Sequence, residues 1–537
     1  MIADSPISVR KVFYVLTLLY LGMLAAVAPI YLEILWTLVI GAPLILLGLR
    51  DVFQKSQTVP RNFPIIGHLR YLLEEIRPEL YQYFVESDTG GRPFNRLERS
   101  LVYQRAKNAR DTVPFGTQQD VYEVGYEWVN HSLKPAHLDQ TDLRVAVGGP
   151  DCKQPYSASL LNISAMSYGS LSANAVLALN SGAKMGNFAH NTGEGGISKF
   201  HHQGGGDLIW QIGTGYFACR NNDGSFSAEK FAEKASQDQV KMIEIKLSQG
   251  AKPGHGGILP AAKLTKEIAE IRGVPMGQDV NSPPGHSAFS TPLELIEFVQ
   301  LLRERSGGKP IGFKLCVGKR REFLAICKAM HETGIKPDFI TVDGGEGGTG
   351  AAPLEFTNNI GSPLSEGLIF VNNALTGFDL RKDIRIISSG KVMSGFGIVK
   401  RLALGADLCN SARAMMMALG CIQALKCNTN RCPVGVATTD RTLMYGLDPS
   451  DKKVRIYNLH KNLEKSVCEI IGAMGVKDTD DLRPWHLMRR ISATEIKHYG
   501  EIYEYLEPGS LLQSDIPKSY ARAVASAQSS SFDSVRH

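Results

Sequence analysis

Three cysteines lie close together in the stretch from Cys421 to Asp440, where Cys427 and Cys432 follow the first. Iron–sulfur clusters are held by cysteine thiolates, and the Cys-Pro pair at Cys432 is typical of loops that close around them. Structural zinc generally takes four ligands, and no histidine lies in this stretch. The spacing therefore favours an iron–sulfur cluster with three cysteine ligands. Three reduced thiols without a metal are the alternative.

Charged residues inside glycine-rich segments are a second set of groups that could do chemistry. Glu194 lies in Asn-Thr-Gly-Glu-Gly-Gly, and Lys246 and Lys252 enclose Leu-Ser-Gln-Gly-Ala. A plain tight turn or a solvated lysine is the ordinary interpretation of each segment alone. Two lysines among so many glycines favour a binding site.

The elements that must position these residues follow a regular pattern. From Leu161 onward, short apolar runs alternate with amphipathic segments, as in a parallel β/α protein. The predicted strands are 161–165, 187–190, 213–219, 242–247, 311–316, 339–342, 384–388 and 407–410. Eight strands predict an α/β fold of the (β/α)8 TIM-barrel type. In that fold the loops after the strands build the active site, and phosphate often binds beyond strands seven and eight.

The segment Cys-Asn-Thr-Asn-Arg-Cys-Pro-Val-Gly-Val-Ala-Thr, which starts at Cys427, resembles the cluster loop of the FMN-binding synthase domain of glutamate synthase. The separations of all three cysteines match that family, and the likeness runs from about Asn162 to about Val436. The resemblance implies a 3Fe-4S cluster on Cys421, Cys427 and Cys432 that passes electrons to FMN.

The same resemblance implies roles for charged residues. Lys252, Glu194 and Arg272 would hold the substrate, with Lys252 on its carboxylate. Lys246 would face the flavin, where a positive charge suits the negative charge of the reduced ring.

Other loops resemble those that bind FMN, and the loops after the last two strands resemble the phosphate-binding loops of FMN barrels generally. The residues expected to contact FMN besides Lys246 are Met166, Ser167, Gly344, Gly345, Ser389, Gly390, Lys391, Gly395, Ser411 and Arg413. A helix N-terminus, backbone amides and Arg413 would hold the phosphate. FMN is favoured over a dinucleotide because no Gly-x-Gly-x-x-Gly opens a Rossmann unit.

Three residues depart from the family pattern. Ile258 stands where glutamate synthases have a glutamine that helps bind 2-oxoglutarate, His255 replaces a glutamate, and Tyr216 occupies a position that is usually arginine. Losing polar partners from a dicarboxylate site weakens selectivity, so the identity of the 2-oxo acid stays open.

The composition is that of a large globular protein with a membrane addition. The 537 residues are 43% hydrophobic and 21% charged, which suggests one big domain with accessories. A net charge of +6 without a basic run argues against nucleic acid as a partner. Nine cysteines without a paired framework indicate a reducing compartment.

The stretch from Val12 to Leu49 is almost wholly apolar and longer than one membrane span. Interruptions at Pro29 and Glu33 favour a hairpin of two spans over one tilted helix, with a cleaved signal peptide as the other alternative. Basic residues flank both spans and place the catalytic domain on the cytoplasmic side; these are Arg10, Lys11, Arg50 and Lys55.

The predicted organisation is therefore an anchor at 1–50, a connecting region at 51–151 that packs on the barrel, and the barrel at 152–440 with the cysteine loop at 421–432. Helices are expected at 453–475 and 482–505 within a helical extension at 441–508, and a frayed tail at 509–537.

The expected function is reductive amination of a 2-oxo acid by a membrane-anchored FMN and iron–sulfur oxidoreductase of glutamate synthase type. The chain has neither the glutaminase domain nor an evident NAD-binding segment. Free ammonia, another amine or a partner subunit would supply nitrogen, and a ferredoxin, a flavoprotein or a membrane quinol would supply electrons. The alternative is an electron-transfer subunit of a membrane complex that keeps the cofactors without amination activity.

Overall fold

The structure is a computed structural model that describes residues 8–139 and 143–533. The chain divides into two compact units, Met1–Arg96 and Leu97–His537. The division falls inside the predicted connecting region, so the first part of that region belongs to the same unit as the apolar N-terminal helices.

The first unit is helical. Its α-helices are α1 (Val9–Val27), α2 (Leu38–Phe53), α3 (Thr58–Asn62) and α4 (His68–Leu80). A 3-10 turn at Leu32–Thr37 leads into α2, and a π-helical turn at Tyr81–Val85 follows α4.

Helices α1 and α2 form a closely packed hairpin. The Tyr20 hydroxyl lies 2.9 Å from Thr37 Oγ1, and a Cβ atom on Gly41 would overlap the Tyr20 ring. Small residues allow such close approach between helices. The segments Val9–Val27 and Leu32–Phe53 are long and apolar enough to cross a membrane, with 11% and 6% of the residues in their apolar windows buried. So little burial does not suit the core helices of a soluble domain.

The helices that follow α4 belong mostly to the second unit. They are α5 (Arg96–Lys107), α6 (Ala173–Gly186), α7 (Lys199–Gly204), α8 (Ala228–Ala235), α9 (Lys266–Arg272), α10 (Pro292–Arg305), α11 (Arg320–Thr333), α12 (Leu354–Asn359), α13 (Leu364–Gly377), α14 (Gly395–Ala403), α15 (Arg413–Ala418), α16 (Arg441–Tyr445), α17 (Pro449–Ala473), α18 (Tyr499–Ile502) and α19 (Lys518–Ser526).

The strands of the described residues all lie in the second unit. They are β1 (Glu127–Val129), β2 (Arg144–Val147), β3 (Tyr156–Ser159), β4 (Leu161–Ile163), β5 (His190–Asn191), β6 (Leu208–Ile212), β7 (Val240–Lys246), β8 (Ile258–Leu259), β9 (Val280–Asn281), β10 (Ile311–Cys316), β11 (Phe339–Asp343), β12 (Arg385–Ser389), β13 (Leu408–Ser411), β14 (Leu487–Arg490) and β15 (Ile496–His498).

Eight strands close a barrel in the order β10-β11-β12-β13-β4-β5-β6-β7. Neighbouring barrel strands are parallel, with Ile163 opposite His190 and Phe339 opposite Arg385 as examples of the register. The prediction of a (β/α)8 barrel is confirmed.

The predicted third strand, 213–219, is wrong. The third barrel strand is β6, a fully buried run of Leu-Ile-Trp-Gln-Ile. The residues after it form a loop in which Tyr216 and Ala218 have positive φ angles of 47° and 74°. Aromatic and β-branched residues favour the strand, whereas Gly213 and Gly215 favour the turn that follows it.

The amino-terminal end of the barrel is filled by an apolar layer. Ile209 of β6, Met242 of β7 and Phe339 of β11 pack together there, and Val147 and Tyr156 of the antiparallel pair β2–β3 pack on them. The pair therefore closes the end of the barrel opposite the predicted active site.

A polar layer lies above the apolar one, centred on the buried Glu244 of β7. Its carboxylate accepts hydrogen bonds from Asn191 Nδ2 at 2.8 Å, Gln211 Nε2 at 2.7 Å and Thr341 Oγ1 at 2.6 Å. These donors come from β5, β6 and β11, so the side chains meet across the barrel interior. TIM-barrel interiors are usually dominated by branched apolar residues, so this polar layer departs from the usual pattern.

The C-terminal region differs from the prediction. The expected helix at 453–475 is α17, but 482–505 contains the strands β14 and β15, a 3-10 turn at Pro484–His486 and the short helix α18. The predicted frayed tail is wrong for its described part, because Tyr520 and Val524 of α19 are buried and Lys328 Nζ donates to the Val524 carbonyl at 2.8 Å.

Candidate active site

Glu194 and Lys246 form a buried ion pair at the carboxyl ends of the strands. Glu194 follows β5 and Lys246 ends β7, and Lys246 Nζ lies 2.8 Å from Glu194 Oε1. Gly213 and Gly257 flank the carboxylate so closely that a Cβ atom on either would overlap it. Burial alone would raise the pKa of Glu194, but the charge of Lys246, together with those of the two buried cations described next, lowers it. The carboxylate is therefore ionised at neutral pH.

Lys252 and Arg272 are buried cations that have no carboxylate within ion-pair distance among the described residues. Lys252 is 2% exposed and its Nζ donates to the Ala351 carbonyl at 2.8 Å. Arg272 is 4% exposed, its Nη2 donates to the Tyr168 carbonyl at 3.2 Å, and its Nε has no partner there. Burial and the charge of Lys246 lower the pKa of Lys252 to about 8, and burial lowers that of Arg272 to about 10. Two desolvated cations without a carboxylate in direct contact favour a negatively charged ligand.

A second buried ion pair, which the sequence interpretation missed, joins Lys314 of β10 to Asp343 of β11. Lys314 Nζ lies 3.3 Å from Asp343 Oδ2, and the two side chains are 7% and 8% exposed. Burial would lower the pKa of Lys314, but Asp343 and then Glu244 outweigh it and raise that pKa. The available signal was a lysine within the otherwise apolar run Ile311–Cys316, since buried lysines need a partner.

The loops after β4 and β5 touch at the site. A Cβ atom on Gly193 would overlap the backbone of Met166 and Ser167, and Gly193 itself has a φ of 64°, which favours glycine. The predicted flavin-contacting residues therefore lie against the loop that carries Glu194.

The loops after β7 and β11 also touch. A Cβ atom on Gly250 would overlap the carbonyl oxygen of Gly344, and Gly250 N–H donates to Asp343 Oδ2 at 3.1 Å. Gly345 N–H donates to the Ser362 carbonyl at 2.8 Å. The glycines thus bring the Lys252 loop and the predicted FMN loop into backbone contact.

The loop after β12 is held by a residue that the sequence interpretation did not select. Arg401 Nη2 donates to the carbonyls of Gly390 at 2.9 Å and Lys391 at 3.3 Å, where the φ angles are 134° and 46°. Ser389, which ends the strand, lies 3.1 Å from Ser164 between their hydroxyl oxygens. Arg401 therefore fixes the left-handed turn predicted to meet the FMN phosphate.

The end of β13 is tied to both neighbouring loops. Ser411 Oγ donates to the Val392 carbonyl at 2.7 Å, and Arg413 Nη2 donates to the Glu346 carbonyl. Gly348 gives room for the Arg413 guanidinium, which a Cβ atom there would approach at 2.8 Å. Ser411 and Arg413 thus share the carboxyl end of the barrel with the other predicted FMN residues.

Gly395 has a packing role. A Cβ atom there would lie 2.5 Å from that of Ser466, so the glycine allows α14 to approach α17. Ser394 caps the helix by accepting a hydrogen bond from Gly397 N–H at 3.0 Å. Contact of Gly395 with FMN stays a prediction.

Tyr216, one of the departures from the family pattern, is fully buried and hydrogen-bonded to His286. The Tyr216 hydroxyl lies 3.1 Å from His286 Nδ1 and accepts from Ala288 N–H at 3.0 Å, while His286 Nε2 lies 2.9 Å from the Lys246 carbonyl. Burial lowers the pKa of His286 to about 4, so the ring is neutral. Its Nε2–H therefore donates to the backbone carbonyl of Lys246, and its Nδ1 accepts a hydrogen bond from the Tyr216 hydroxyl.

The other two departures lie in the loop after β7. Ile258 pairs with Asn281 across β8 and β9, and the His255 ring meets Phe356 edge-on at 5.4 Å. A small cavity in this loop is lined by Glu194, Lys246 and His255 among others. A much larger cavity of about 1000 Å³ lies around β3 and the start of β7, at the opposite end of the barrel. The buried Glu194–Lys246 pair therefore lies at the smaller one.

The cysteine loop brings Cys427 and Cys432 close enough to Cys421 to act electrostatically on its thiol. None of the three cysteines is in a disulfide. Burial, together with the two other thiols, raises the pKa of Cys421 to about 11, and burial raises that of Cys427. Among the described residues, no group of three His, Cys, Asp or Glu side chains is placed to hold a metal ion. Ligands of a three-iron cluster lie farther apart than those of one ion, because iron and sulfide lie between them.

Two residues that the sequence interpretation missed hold this loop. Lys263 is 2% exposed and its Nζ donates to the carbonyls of Ser170 at 2.7 Å and Cys427 at 3.3 Å. Asn430, with φ 61°, accepts from Thr439 N–H at 2.8 Å and donates through Nδ2 to the Ala262 carbonyl at 2.8 Å. Lys263 therefore connects the cysteine loop to the loop after β4.

The residues present fit both groups that the resemblance implies. Three free thiols in one loop are the donor set of an iron–sulfur cluster. Buried cations with an unpartnered guanidinium nitrogen, beside glycines in backbone contact, suit an anionic ligand such as a flavin phosphate or a carboxylate.

A parallel eight-stranded barrel with its buried charges gathered at the carboxyl ends of the strands defines a TIM-barrel enzyme. Residues 130–477, more than half of the chain, match the family model described as the conserved region in glutamate synthase. The chain belongs to the glutamate synthase family and is an oxidoreductase of that type.

Two relatives show how far the likeness extends. The chain is 37% identical over 497 residues to the glutamate synthase large subunit-like protein YerD of Bacillus subtilis, covering 84% of this chain and 94% of YerD. It is 32% identical over 362 residues to the archaeal glutamate synthase (NADPH) of Methanocaldococcus jannaschii, covering 67% of each. A solved structure of mandelate oxidase with 3,3-difluoro-2-hydroxy-3-phenylpropionic acid matches with a TM-score of 0.40 at 14% identity, covering 80% of this chain and 97% of that one.

Proposed function

We propose that this chain is an FMN and iron–sulfur enzyme that reductively aminates a 2-oxo acid at a membrane surface. The observation that supports it most is the pair of buried cations, Lys252 and Arg272, beside the ionised Glu194 in a chain of the glutamate synthase family. A 2-oxo acid carries the carboxylate that these cations lack.

The residues of the site bind and orient the substrate. Lys252 and Arg272 hold the carboxylate through charge-assisted hydrogen bonds. A 2-oxo acid and an ammonium ion lose water to give an iminium ion, whose positive charge the Glu194 carboxylate stabilises. FMN, when bound, supplies the hydride that turns the iminium into the amino acid, and the cluster supplies it with electrons.

Both cofactors have residues that would hold them. Cys421, Cys427 and Cys432 would hold a 3Fe-4S cluster, next to Lys263. The FMN ring would lie among Lys246, Met166, Ser167, Gly344 and Gly345, with its phosphate at Ser389, Gly390, Lys391, Gly395, Ser411 and Arg413. The contact of Lys263 with both the cysteine loop and Ser170 supports a short path between the two groups.

The partners follow from the residues and the relatives. The nitrogen donor is free ammonia, another amine or a partner subunit's product, and the electron donor is a ferredoxin, a flavoprotein or a membrane quinol. In this proposal α1 and α2 anchor the chain by two membrane spans, which their length and apolar composition support, and the basic residues that flank them favour a cytoplasmic catalytic domain.

The test uses detergent-purified protein under anaerobic conditions. We expect flavin and iron–sulfur absorption, about one flavin and about three irons per chain, and amino-acid formation from ammonium, chemical reductant and a 2-oxo acid. Lys252→Met should weaken this activity and the exposed Lys266→Met should not. No product with 2-oxoglutarate or any other 2-oxo acid would overturn the assignment.

A second function, electron transfer without amination, is favoured by Ile258 and by the commitment of the Tyr216 hydroxyl to His286. It predicts a flavin spectrum that does not respond to 2-oxo acids, together with co-purifying redox partners. A spectral change on adding 2-oxo acid to the oxidised protein would contradict it.

A further inference from the structure

Helix α4 carries a stripe of exposed apolar side chains. The helix has no buried residue, and five apolar residues between 38% and 58% exposed recur at the spacing of one helical face; they are Leu69, Leu72, Leu73, Ile76 and Leu80. At about 100° per residue they fall within an arc of about 100°. The opposite side carries the charges, including the Arg70–Glu74 pair at 2.9 Å.

The apolar surface continues beyond the helix. In the π-helical turn Tyr81–Val85, the side chains of Tyr83, Phe84 and Val85 are 53%, 82% and 67% exposed. Contiguous exposed apolar surface of this kind marks a contact site for a protein or a membrane.

Hydrogen bonds place the start of α4 at the end of α2. The buried Asp51, in the last turn of α2, accepts from Ile65 N–H at 2.9 Å and from His68 Nε2 at 2.7 Å. The beginning of α1 lies at the same end, because Arg10 Nη2 donates to Asn62 Oδ1 at 2.7 Å. If α1 and α2 span a membrane, α4 therefore starts at the level where both spans meet water.

We propose that α4 lies in the plane of the membrane surface, with its apolar stripe in the boundary between lipid headgroups and acyl chains. The proposal rests on the membrane anchoring proposed above. Helix α4 is then a third lipid contact, distinct from the two spans. The lipid bilayer is the occupant of the stripe, because α4 belongs to the same compact unit as the apolar hairpin and starts where α1 begins and α2 ends. Tyr81 and Tyr83 suit the interfacial position of aromatic residues.

The charges of α4 define the kind of lipid surface. Arg70 and Arg77 are outnumbered by Glu74, Glu75 and Glu79. A helix with an excess of acidic residues gains nothing from anionic lipids, so burial of apolar area provides the binding. The contact should therefore form on neutral phosphatidylcholine.

The test places a fluorescent label on single added cysteines in the full chain, reconstituted in phosphatidylcholine vesicles. Leu73→Cys lies on the stripe, Glu74→Cys on the opposite face, and Leu18→Cys on the exposed surface of α1, 69% exposed. The unsubstituted protein has nine cysteines of its own, so it is labelled in the same way and its signal is subtracted. Quenching is measured with lipids that carry a nitroxide near the headgroup or within the acyl chain, and with iodide in the water.

We expect headgroup-level nitroxide to quench the Leu73→Cys label at least about threefold more than the Glu74→Cys label, and iodide to do the reverse. The Leu18→Cys label should respond to nitroxide within the acyl chain. Iodide quenching at Leu73→Cys with lipid quenching at Leu18→Cys would overturn the interfacial helix while leaving the anchor intact. Protection at Leu73→Cys from all quenchers would assign the stripe to a protein partner and also overturn it. Iodide quenching at Leu18→Cys would overturn the anchor itself, and the interfacial helix with it.

Discussion

The mouth of the barrel and the cysteine loop are built in different ways. In the mouth, charged side chains stand at or near strand ends, and two buried ion pairs form there, Glu194 with Lys246 and Lys314 with Asp343. In the cysteine loop no helix or strand holds the three thiols, and the backbone passes through left-handed conformations at Gln423, Leu425 and Asn430.

The difference indicates which of the two regions needs a bound ligand to hold its structure. Buried ion pairs in a closed barrel are preorganised by the sheet and hold their geometry without a cofactor. Cys421 and Cys427, whose pKa values are raised, must lose protons to bind metal, so metal binding and the ordering of such a loop are coupled. We expect changes in the loop to act on iron content, and changes in the mouth to act on stability and substrate binding.

The largest expected effect comes from Cys432→Ala. Removing one of the three proposed cluster ligands should abolish iron binding while flavin remains, and electron delivery to the flavin should fall by more than the roughly 10- to 100-fold typical of outer-shell changes. The measurements are iron and flavin content and the rate of flavin reduction by a one-electron donor. Cys152→Ala, a half-buried thiol outside the loop, is the matched control. Unchanged iron content in Cys432→Ala would contradict the proposal that this cysteine is a cluster ligand, and with it the idea that the loop depends on its ligand.

Glu194→Gln tests the preorganisation of the mouth. It leaves Lys246 buried without its counter-charge, which costs about 3 kcal/mol by analogy with other broken buried pairs. Because the pKa of Glu194 is lowered, its contribution is present above the unfolded-state pKa and is lost as the pH falls through the lowered value. Urea unfolding of the detergent-solubilised protein measures the loss. Glu270→Gln, which removes an exposed pair at 3.9 Å, should change nothing measurable, and equal losses in both variants would contradict the idea.

Lys252 gives the mouth a pH dependence. With a pKa of about 8, it is protonated below that pH and loses its charge above it. The KM for the 2-oxo acid should rise by up to about tenfold per pH unit above pH 8, since the charged fraction falls tenfold per unit. Lys252→Met should raise the KM by about 10- to 100-fold, as expected for a lost charged hydrogen bond, and remove this pH dependence. A Lys252→Met profile that still rises above pH 8 would assign the titration to another group.

The barrel could be predicted from the sequence because its signal is local. Strands such as β10 and β11 are short apolar runs, and their alternation with amphipathic segments identifies them. The third strand was misplaced because Gly213 to Cys219 is nearly as apolar as the true strand, although its two glycines favour a turn. The positive φ angles of Tyr216 and Ala218 identify it as a loop.

The site was predicted in part. Resemblance selected Glu194, Lys246, Lys252 and Arg272, which the structure brings together. Lys263, whose partners are backbone carbonyls of residues 93 and 164 positions away, has no local signal. Contacts of that kind depend on tertiary structure and cannot be obtained from motif spacing.

The smallest expected effect comes from Tyr216→Phe, which tests whether groups behind the mouth hold it in place. The change leaves Ala288 N–H and His286 Nδ1 without the hydroxyl that satisfies both, at a cost of about 1–3 kcal/mol. Tyr505→Phe is the matched control, because that buried hydroxyl has no partner among the described residues and its loss should cost nothing. If His286 positions Lys246 through its carbonyl, Tyr216→Phe also lowers kcat with iron content unchanged. A variant as stable as Tyr505→Phe, with wild-type kcat, would restrict the preorganisation of the mouth to its ion pairs.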